Sequence, residues 1–233
     1  MFFSANGFKK FNHTQIELLD LESQEDKEGK RFYKTPKGIW YPSITTVLSY
    51  MNKDSIAAWR KRVGEEEANR ISFAAMQRGT RLHSICENYI KNQLDYKTIS
   101  PFDIDMFKSI KPILDQNIDK IHTQEAALYS EYLAVAGRVD LVANYDGKLS
   151  IIDFKTARKP KKKEYITNYF MQAAAYAVMF EERTSLPISR IVIIMAVENE
   201  PPIVFVEKRD NYIYDFIKFR KSLNNVLDST GLL

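Results

Sequence analysis

The stretch Val135-Ala136-Gly137-Arg138-Val139-Asp140-Leu141-Val142-Ala143-Asn144-Tyr145-Asp146-Gly147-Lys148-Leu149-Ser150-Ile151-Ile152-Asp153-Phe154-Lys155-Thr156 decides the fold. Two apolar runs flank Asp146-Gly147. Asp-Gly is a strong hairpin signal, because a two-residue type I′ turn needs φ > 0 at both central positions. With that turn, Tyr145 pairs with Lys148, and counting back along both strands sets Asp140 directly opposite Asp153. Opposed residues share a face, with Cβ atoms about 4.5–5.5 Å apart. Lys155, two positions past Asp153, shares it as well. The register thus predicts two carboxylates and an ammonium on one patch of a sheet. Opposed like charges in an apolar sheet are costly, by roughly 0.2–1 kcal/mol when exposed and more when buried. A divalent cation removes that cost. Mg²⁺ takes one or two carboxylates together with water and phosphate oxygens. A bound metal orients water and neutralises charge on a phosphate, and a nearby lysine assists.

Outward from the hairpin the chain alternates β and α. Strands are expected at His122–Tyr132, Ala134–Tyr145, Lys148–Lys155, Ile188–Val197 and Ile203–Glu207, with helices over Tyr165–Glu182 and Asn211–Leu227. Lys148–Lys155, a helix, and Ile188–Val197 form a βαβ unit with parallel strands, so the sheet is mixed. Upstream, helices are expected over Ser55–Met76, from Gly79 to about Lys91 with Thr80 as N-cap, and over Asp103–Ile118. Pro42-Ser43 reads as a helix start with Ser43 as N-cap. The first forty residues read as β: a strand at Gln15–Leu21, an exposed loop at Gln24–Lys30, then Lys30–Lys34 pairing with Ile39–Tyr41 across Thr35-Pro36-Lys37-Gly38. The predicted class is α/β (α+β), a mixed central sheet flanked by helices. Residues 1–120 form an N-terminal β-hairpin and helical wall, and 121–233 form the core of one domain.

Composition narrows the options. The net charge is +4 and the single cysteine is Cys86. One cysteine excludes an intrachain disulfide, a four-cysteine zinc site and an iron–sulfur cluster held by this chain. No window approaches eighteen apolar residues, so no transmembrane helix is expected. The N-terminus reads as neither signal nor transit peptide. The expectation is a soluble cytoplasmic protein of a bacterial or phage-infected cell, without a membrane partner. No G-x-x-x-x-G-K-[ST] is present, so no ATP use is expected. Six of the nine residues from Lys155 to Lys163 are Lys or Arg. Arg158, Lys159, Lys161, Lys162 and Lys163 leave the hairpin directly, as a phosphate-tracking segment would. Arg60, Arg62, Arg78 and Arg81 are candidates to extend it. Trp40, Tyr41 and Phe73 are candidate base-stacking residues, although each is more often core.

Gly137-Arg138-Val139-Asp140, Ile152-Asp153-Phe154-Lys155-Thr156 and Gln172-Ala173-Ala174-Ala175-Tyr176 resemble, in order and spacing, the G-x-x-D, D-x-K and Q-x-x-x-Y series of the RecB-like branch of the PD-(D/E)XK nucleases. The nominal proline before the first aspartate is Val139 here. Arg78-Gly79-Thr80-Arg81-Leu82-His83 resembles the helical segment whose histidine is a metal ligand in that branch. Glu87 lies on the same helical face as His83. Pro42-Ser43-Ile44-Thr45-Thr46-Val47-Leu48 and Trp59-Arg60-Lys61-Arg62 are similar to segments of the mitochondrial genome maintenance exonuclease group and its phage and bacterial relatives.

The resemblance implies a restriction-endonuclease-like core and an exonuclease that prefers single-stranded DNA with a free end. It implies Mg²⁺ or Mn²⁺ held by His83, Asp140, Asp153 and the main-chain carbonyl of Phe154. Lys155 then assists attack of water, Gln172 and Tyr176 support the site, and Ser43 and Thr45 join the DNA contacts. A nitrogen ligand tilts such a site toward Mn²⁺. Roles in DNA replication, repair or recombination, with unknown protein partners, would follow. The rivals are a double-strand-specific recombination exonuclease, a structure-specific endonuclease, a catalytically dead nucleic-acid-binding module, and a structural metal site. The last would not need the lysine.

Overall fold

The computed structural model describes residues 9–14 and 16–230. Eight strands and six α-helices follow in the order β1 (Ser23–Glu25), β2 (Arg31–Lys34), β3 (Trp40–Pro42), α1 (Ile44–Ser49), α2 (Lys53–Val63), α3 (Glu65–Ile90), α4 (Pro101–Asn117), β4 (Ile118–Ser130), β5 (Val135–Tyr145), β6 (Lys148–Ala157), α5 (Thr167–Thr184), β7 (Arg190–Val197), β8 (Ile203–Lys208) and α6 (Asp210–Thr230). The large sheet runs β4-β5-β6-β7-β8, and β1-β2-β3 form a small antiparallel one. Among the described strands only β6 and β7 pair in parallel, joined through α5. The mixed sheet and its βαβ unit are as expected from sequence.

Alternation along the strands gives the large sheet two apolar faces. Ile151, Ile193 and Met195 pack with Phe170, Phe180 and Phe216 of α5 and α6. Ile152, Val192 and Ile194 pack with Leu82, Ile90, Phe107 and Leu114 of α3 and α4. Helix α5 is enclosed by sheet, α1 and α6, which is why Ala173, Ala174 and Ala175 are all fully buried and all small. No helix among the described residues is long and apolar enough to cross a membrane.

The Asp-Gly turn forms with φ of 47° at Asp146 and 72° at Gly147, and the register runs from Tyr145↔Lys148 to Leu141↔Ile152 as counted. The ladder stops there, so the expected Asp140/Asp153 pair is not hydrogen-bonded as a ladder pair. The side of the sheet that each residue faces also slips at this point. Val135, Val139 and Val142 face α5, whereas Leu141, Ala143 and Tyr145 face α3 and α4. Asp140 sits where that alternation breaks.

Three local expectations change. Residues 16–21 are not a strand, and Gln15 lies outside the described residues. The first strand is instead β1, which begins at Ser23 and runs into the expected loop. It is exposed and paired to β2, with Glu25–Arg31 and Glu22–Lys34 ion pairs across that edge at 2.5 and 3.2 Å. Cross-strand charge pairing supplies what apolar alternation does not. The long helical stretch also breaks at Gly64, with φ of 88°, and not at Gly79. Gly79 is interior to α3, where a Cβ would just touch Thr156 Oγ1 at 4.0 Å. Thr80 is therefore no cap; its hydroxyl donates back to the Met76 carbonyl at 3.1 Å. Ser43 does cap α1, its side chain accepting from Thr46 N at 3.0 Å.

Candidate active site

The break in the ladder extends across three strands. On the β4 side, Gln124 pairs with Leu141 and Ala126 with Val139, while Glu125 and Asp140 between them form no ladder pair. Glu125, Asp140 and Asp153 thus fall on one line across β4, β5 and β6, where β5 pairs with neither neighbour, while Asp153 keeps its pair with Ile193 of β7. Glu125 has φ of 49°, in the left-handed region that non-glycine residues seldom occupy.

Asp140 Oδ2 takes the place of the missing ladder bond by accepting from the Phe154 N–H at 2.8 Å. Its Oδ1 lies 3.4 Å from His83 Nδ1. His83 reaches the sheet from the last third of α3, which is anchored by buried Leu82, Ile85, Cys86, Tyr89 and Ile90. His83 Nε2 is 2.7 Å from the Phe154 carbonyl. With the proton on Nε2 donated to that carbonyl, Nδ1 is left facing Asp140 and Glu125. One ligand atom each from His83, Glu125 and Asp140 lie within 4.8 Å of one another. Adjacent ligands of an octahedral ion with bonds of about 2.1 Å stand about 3 Å apart, close to the 3.4 Å between His83 Nδ1 and Asp140 Oδ1, and Glu125 adds a third donor to that pair. Asp153 lies behind them, 1% exposed and ion-paired to Lys155. Its Oδ1 has no hydrogen-bond partner among the described residues. A buried carboxylate oxygen left unsatisfied is costly in a folded core, and a cation is the partner its chemistry fits.

The electrostatics follow from that crowding. Burial alone would depress His83, but the Asp140 carboxylate outweighs it and lifts the imidazolium to about 9. Burial, together with the Asp140 and Glu87 charges, pushes Glu125 up to about 7. Burial raises Asp153 to about 6, with Lys155 pulling down and Asp140 pushing up. Burial also acts to raise Asp140, yet His83, Lys155 and the Phe154 N–H hold it below the usual carboxylate range. Burial works against the Lys155 ammonium, and Asp153 and Asp140 overcome it and keep it charged. The Lys155 Nζ also lies 5.1 Å from the centre of the Tyr169 ring.

These groups open onto a cleft of about 490 Å³. One wall comes from the small sheet and α1 through Arg31, Tyr33, Ser43 and Thr45. The other comes from α5 through Asn168, Tyr169, Gln172 and Tyr176. Tyr176 packs its hydroxyl edge against Gly137, where an added Cβ would come within 2.8 Å of Oη and 2.9 Å of Cε1. It is hydrogen-bonded to Gln172, and burial pushes its phenol far above the ordinary value. The two glycine- and tyrosine-bearing motifs are therefore one packing unit.

A sequence model of the PD-(D/E)XK nuclease superfamily matches residues 56–228. The chain belongs to that superfamily. Among relatives of this nuclease, the human mitochondrial genome maintenance exonuclease 1 is 28% identical over 179 residues, covering 69% of this chain and 50% of that protein. The Mus musculus protein of the same name is 27% identical over 175 residues, covering 69% and 51%. The nuclease spans about half the length of the curated relatives it matches. A solved Eubacterium rectale structure, provisionally described as an exonuclease, has a TM-score of 0.42 at 13% identity, covering 64% of this chain and 66% of that one.

The fold brings His83, Asp140, Asp153, Lys155, Gln172, Tyr176, Ser43 and Thr45 to one place. The Phe154 carbonyl is there too, but it is engaged by the His83 ring. Ser43 is buried, its hydroxyl shared among Thr46 N, Thr45 and Thr46. The basic candidates lie elsewhere. Arg60 pairs with Glu65, Arg81 with Asp103, Arg78 and Arg158 with Glu198, and Lys163 with Glu207. Arg62, Lys159 and Lys162 are exposed and do not line the cleft, and Lys161 lies over the outer side of Tyr169. Trp40 is half-buried beside Lys34, Tyr41 packs on the small sheet's core, and Phe73 is exposed on α3. Glu87 pairs with Lys91. Sequence reasoning missed Glu125, Arg31, Arg138 and Tyr169. The signal for Glu125 lay in the β4–β5 register.

Proposed function

We propose that this PD-(D/E)XK nuclease is a divalent-metal-dependent deoxyribonuclease, an exonuclease acting on single-stranded DNA from a free end. One observation carries the reading: His83, Glu125 and Asp140 converge beside a charged Lys155 at the floor of an open cleft, with Asp153 buried behind them, its Oδ2 paired to Lys155 and its Oδ1 without a hydrogen-bond partner among the described residues. That donor set fits Mg²⁺ or Mn²⁺, and the imidazole favours Mn²⁺ relative to an all-oxygen site. His83 Nδ1, Glu125, Asp140 and Asp153 would hold the ion. The Phe154 carbonyl orients the imidazole, in the way outer-shell partners fix metal-bound histidines. When bound, the ion supplies Lewis-acid neutralisation of the scissile phosphate and lowers the pKa of water. Lys155, kept cationic by Asp153 and Asp140, aims its ammonium at the cleft, where it positions water and offsets charge on the phosphorane-like transition state. The Tyr169 ring limits the directions in which that ammonium can move. Tyr176 and Gln172 fix the wall against which the strand end rests.

The single-strand and free-end preference rests on likeness to the mitochondrial genome maintenance exonucleases, which this chain matches over about half their length. The test uses end-labelled DNA, single- and double-stranded, linear and circular, with Mg²⁺, Mn²⁺ or EDTA. Linear single strands are degraded with either metal, circles persist, and EDTA or Lys155→Ala abolishes turnover. Activity that survives EDTA removes the metal mechanism. Cutting of circles removes the exonuclease reading.

A further inference from the structure

Glu125 occupies a conformation its own residue type does not favour. It has φ of 49°, flanking residues on both sides remain in the β4–β5 ladder, and it forms no ladder pair with Asp140. Its carboxylate is crowded by Asp140 and Glu87. A left-handed glutamate inside a strand is strained and persists only where its surroundings over-determine it. Arg138 reaches the main-chain carbonyl of this residue. The Arg138 Nη1 donates to the Glu125 carbonyl, and Nη2 donates to Asp20 Oδ1 at 3.0 Å. The guanidinium charge additionally draws the Glu125 pKa down, against the burial that raises it.

We propose that Arg138 is a positioning residue that holds Glu125 in its metal-facing conformation by capping its main-chain carbonyl. Arg138 lies two residues from Asp140 on β5, so its side chain leaves the same strand that carries the opposing carboxylate. A planar fork can hold a carbonyl with one prong and Asp20 with the other, which a lysine ammonium on a flexible stem does not reproduce. The result ties the segment before β1 to the metal-facing edge of β4. This proposal rests on the reading of Glu125 as a metal ligand, and the test separates the two.

Mn²⁺ binding to the full chain is measured by calorimetry, with no DNA present, for wild type, Glu125→Gln, Arg138→Ala, Arg138→Lys and the Glu125→Gln/Arg138→Ala pair. Glu125→Gln is expected to weaken Mn²⁺ at least tenfold. Arg138→Ala is expected to weaken it about tenfold, the lower end of what outer-shell partners contribute. Arg138→Lys, which keeps the charge and is the variant least disturbing to folding, loses most of the same factor. The pair is no weaker than Glu125→Gln alone, because Arg138 acts through Glu125. Wild-type affinity in Glu125→Gln overturns the ligand assignment and this proposal with it. Loss in Glu125→Gln with wild-type affinity in both Arg138 variants overturns the positioning role alone. So does a pair whose losses multiply.

Discussion

Replacing Gly137 by alanine tests whether the glycine and tyrosine motifs form one packing unit. The new Cβ would lie 2.8 Å from Tyr176 Oη, 2.9 Å from Cε1 and 3.2 Å from Ile44 Cγ2. Real Cβ atoms do not approach that closely, so something moves. Tyr176 is 3% exposed and Ile44 is fully buried, so the ring can yield only by shifting toward the cleft that it and Gln172 line. Overpacking of this kind costs about 1–3 kcal/mol. For a domain of this size, about 2 kcal/mol lowers Tm by about 4–8 °C. Gly137 does not have a positive φ, so the loss is steric. Gly147→Ala is the contrast: nothing lies within 4 Å of its Cβ, and any cost there comes from its φ of 72°. The assay is thermal unfolding of Gly137→Ala, Tyr176→Phe and the double variant, with nuclease rate in parallel. Tyr176→Phe removes the nearer of the two ring contacts, so the double variant recovers part of the Gly137→Ala loss in Tm. The nuclease rate of Gly137→Ala falls as well, because the displaced ring drags Gln172 from the cleft wall. Unchanged Tm and rate in Gly137→Ala, or strict additivity in the double variant, would refute the reasoning.

Other outcomes follow from the site's charges. In EDTA, stability should fall as pH rises from about 4 to 9. Glu125, Asp153 and His83 have folded pKa values of about 7, 6 and 9, each above its unfolded value, so the folded state binds more protons throughout that window. Asp140, lowered, acts the other way only below the ordinary carboxylate value. A Tm that climbs across this range in EDTA contradicts the assignment. Ligand protons must leave before metal binds, so the Tm gain on adding Mn²⁺ should be larger at pH 8 than at pH 6, and an equal gain counts against these groups as ligands. Lys155→Ala should cut kcat by roughly 10²–10⁴-fold while keeping a Mn²⁺-induced rise in Tm; loss of that rise would make the lysine a structural part of the metal site. His83→Ala should weaken Mn²⁺ more than Mg²⁺, as seen by comparing thermal shifts with the two ions, because it removes the nitrogen donor. Equal weakening contradicts its role as a ligand.

What could be read from the sequence depended on how far a local rule reaches. The Asp146-Gly147 turn is a two-residue object with one favoured geometry, so it carried the register along five residues of each strand and brought Asp140 and Asp153 to the ladder's end. The same logic was available for β4 and β5, but strands ending at Tyr132 and beginning at Ala134 leave a single residue to turn on. The observed pairing of Ser130 with Val135 leaves four, and counting back from it brings Glu125 opposite Asp140. A boundary error of two residues therefore hid a ligand candidate. The helix break was misplaced for a different reason. Gly64 and Gly79 have equal propensity to end a helix, and what separates them is the neighbour. Beside Gly79, α3 runs close over Thr156 of β6, and that packing keeps the helix continuous through the glycine and delivers His83. The basic run was legible as charge but not as a surface, since its partners Glu198 and Glu207 come from a turn and a strand more than thirty residues away. Chemistry encoded within a turn's reach could be read directly. Chemistry that needs three strands to meet, as at Glu125, Asp140 and Asp153, required the fold.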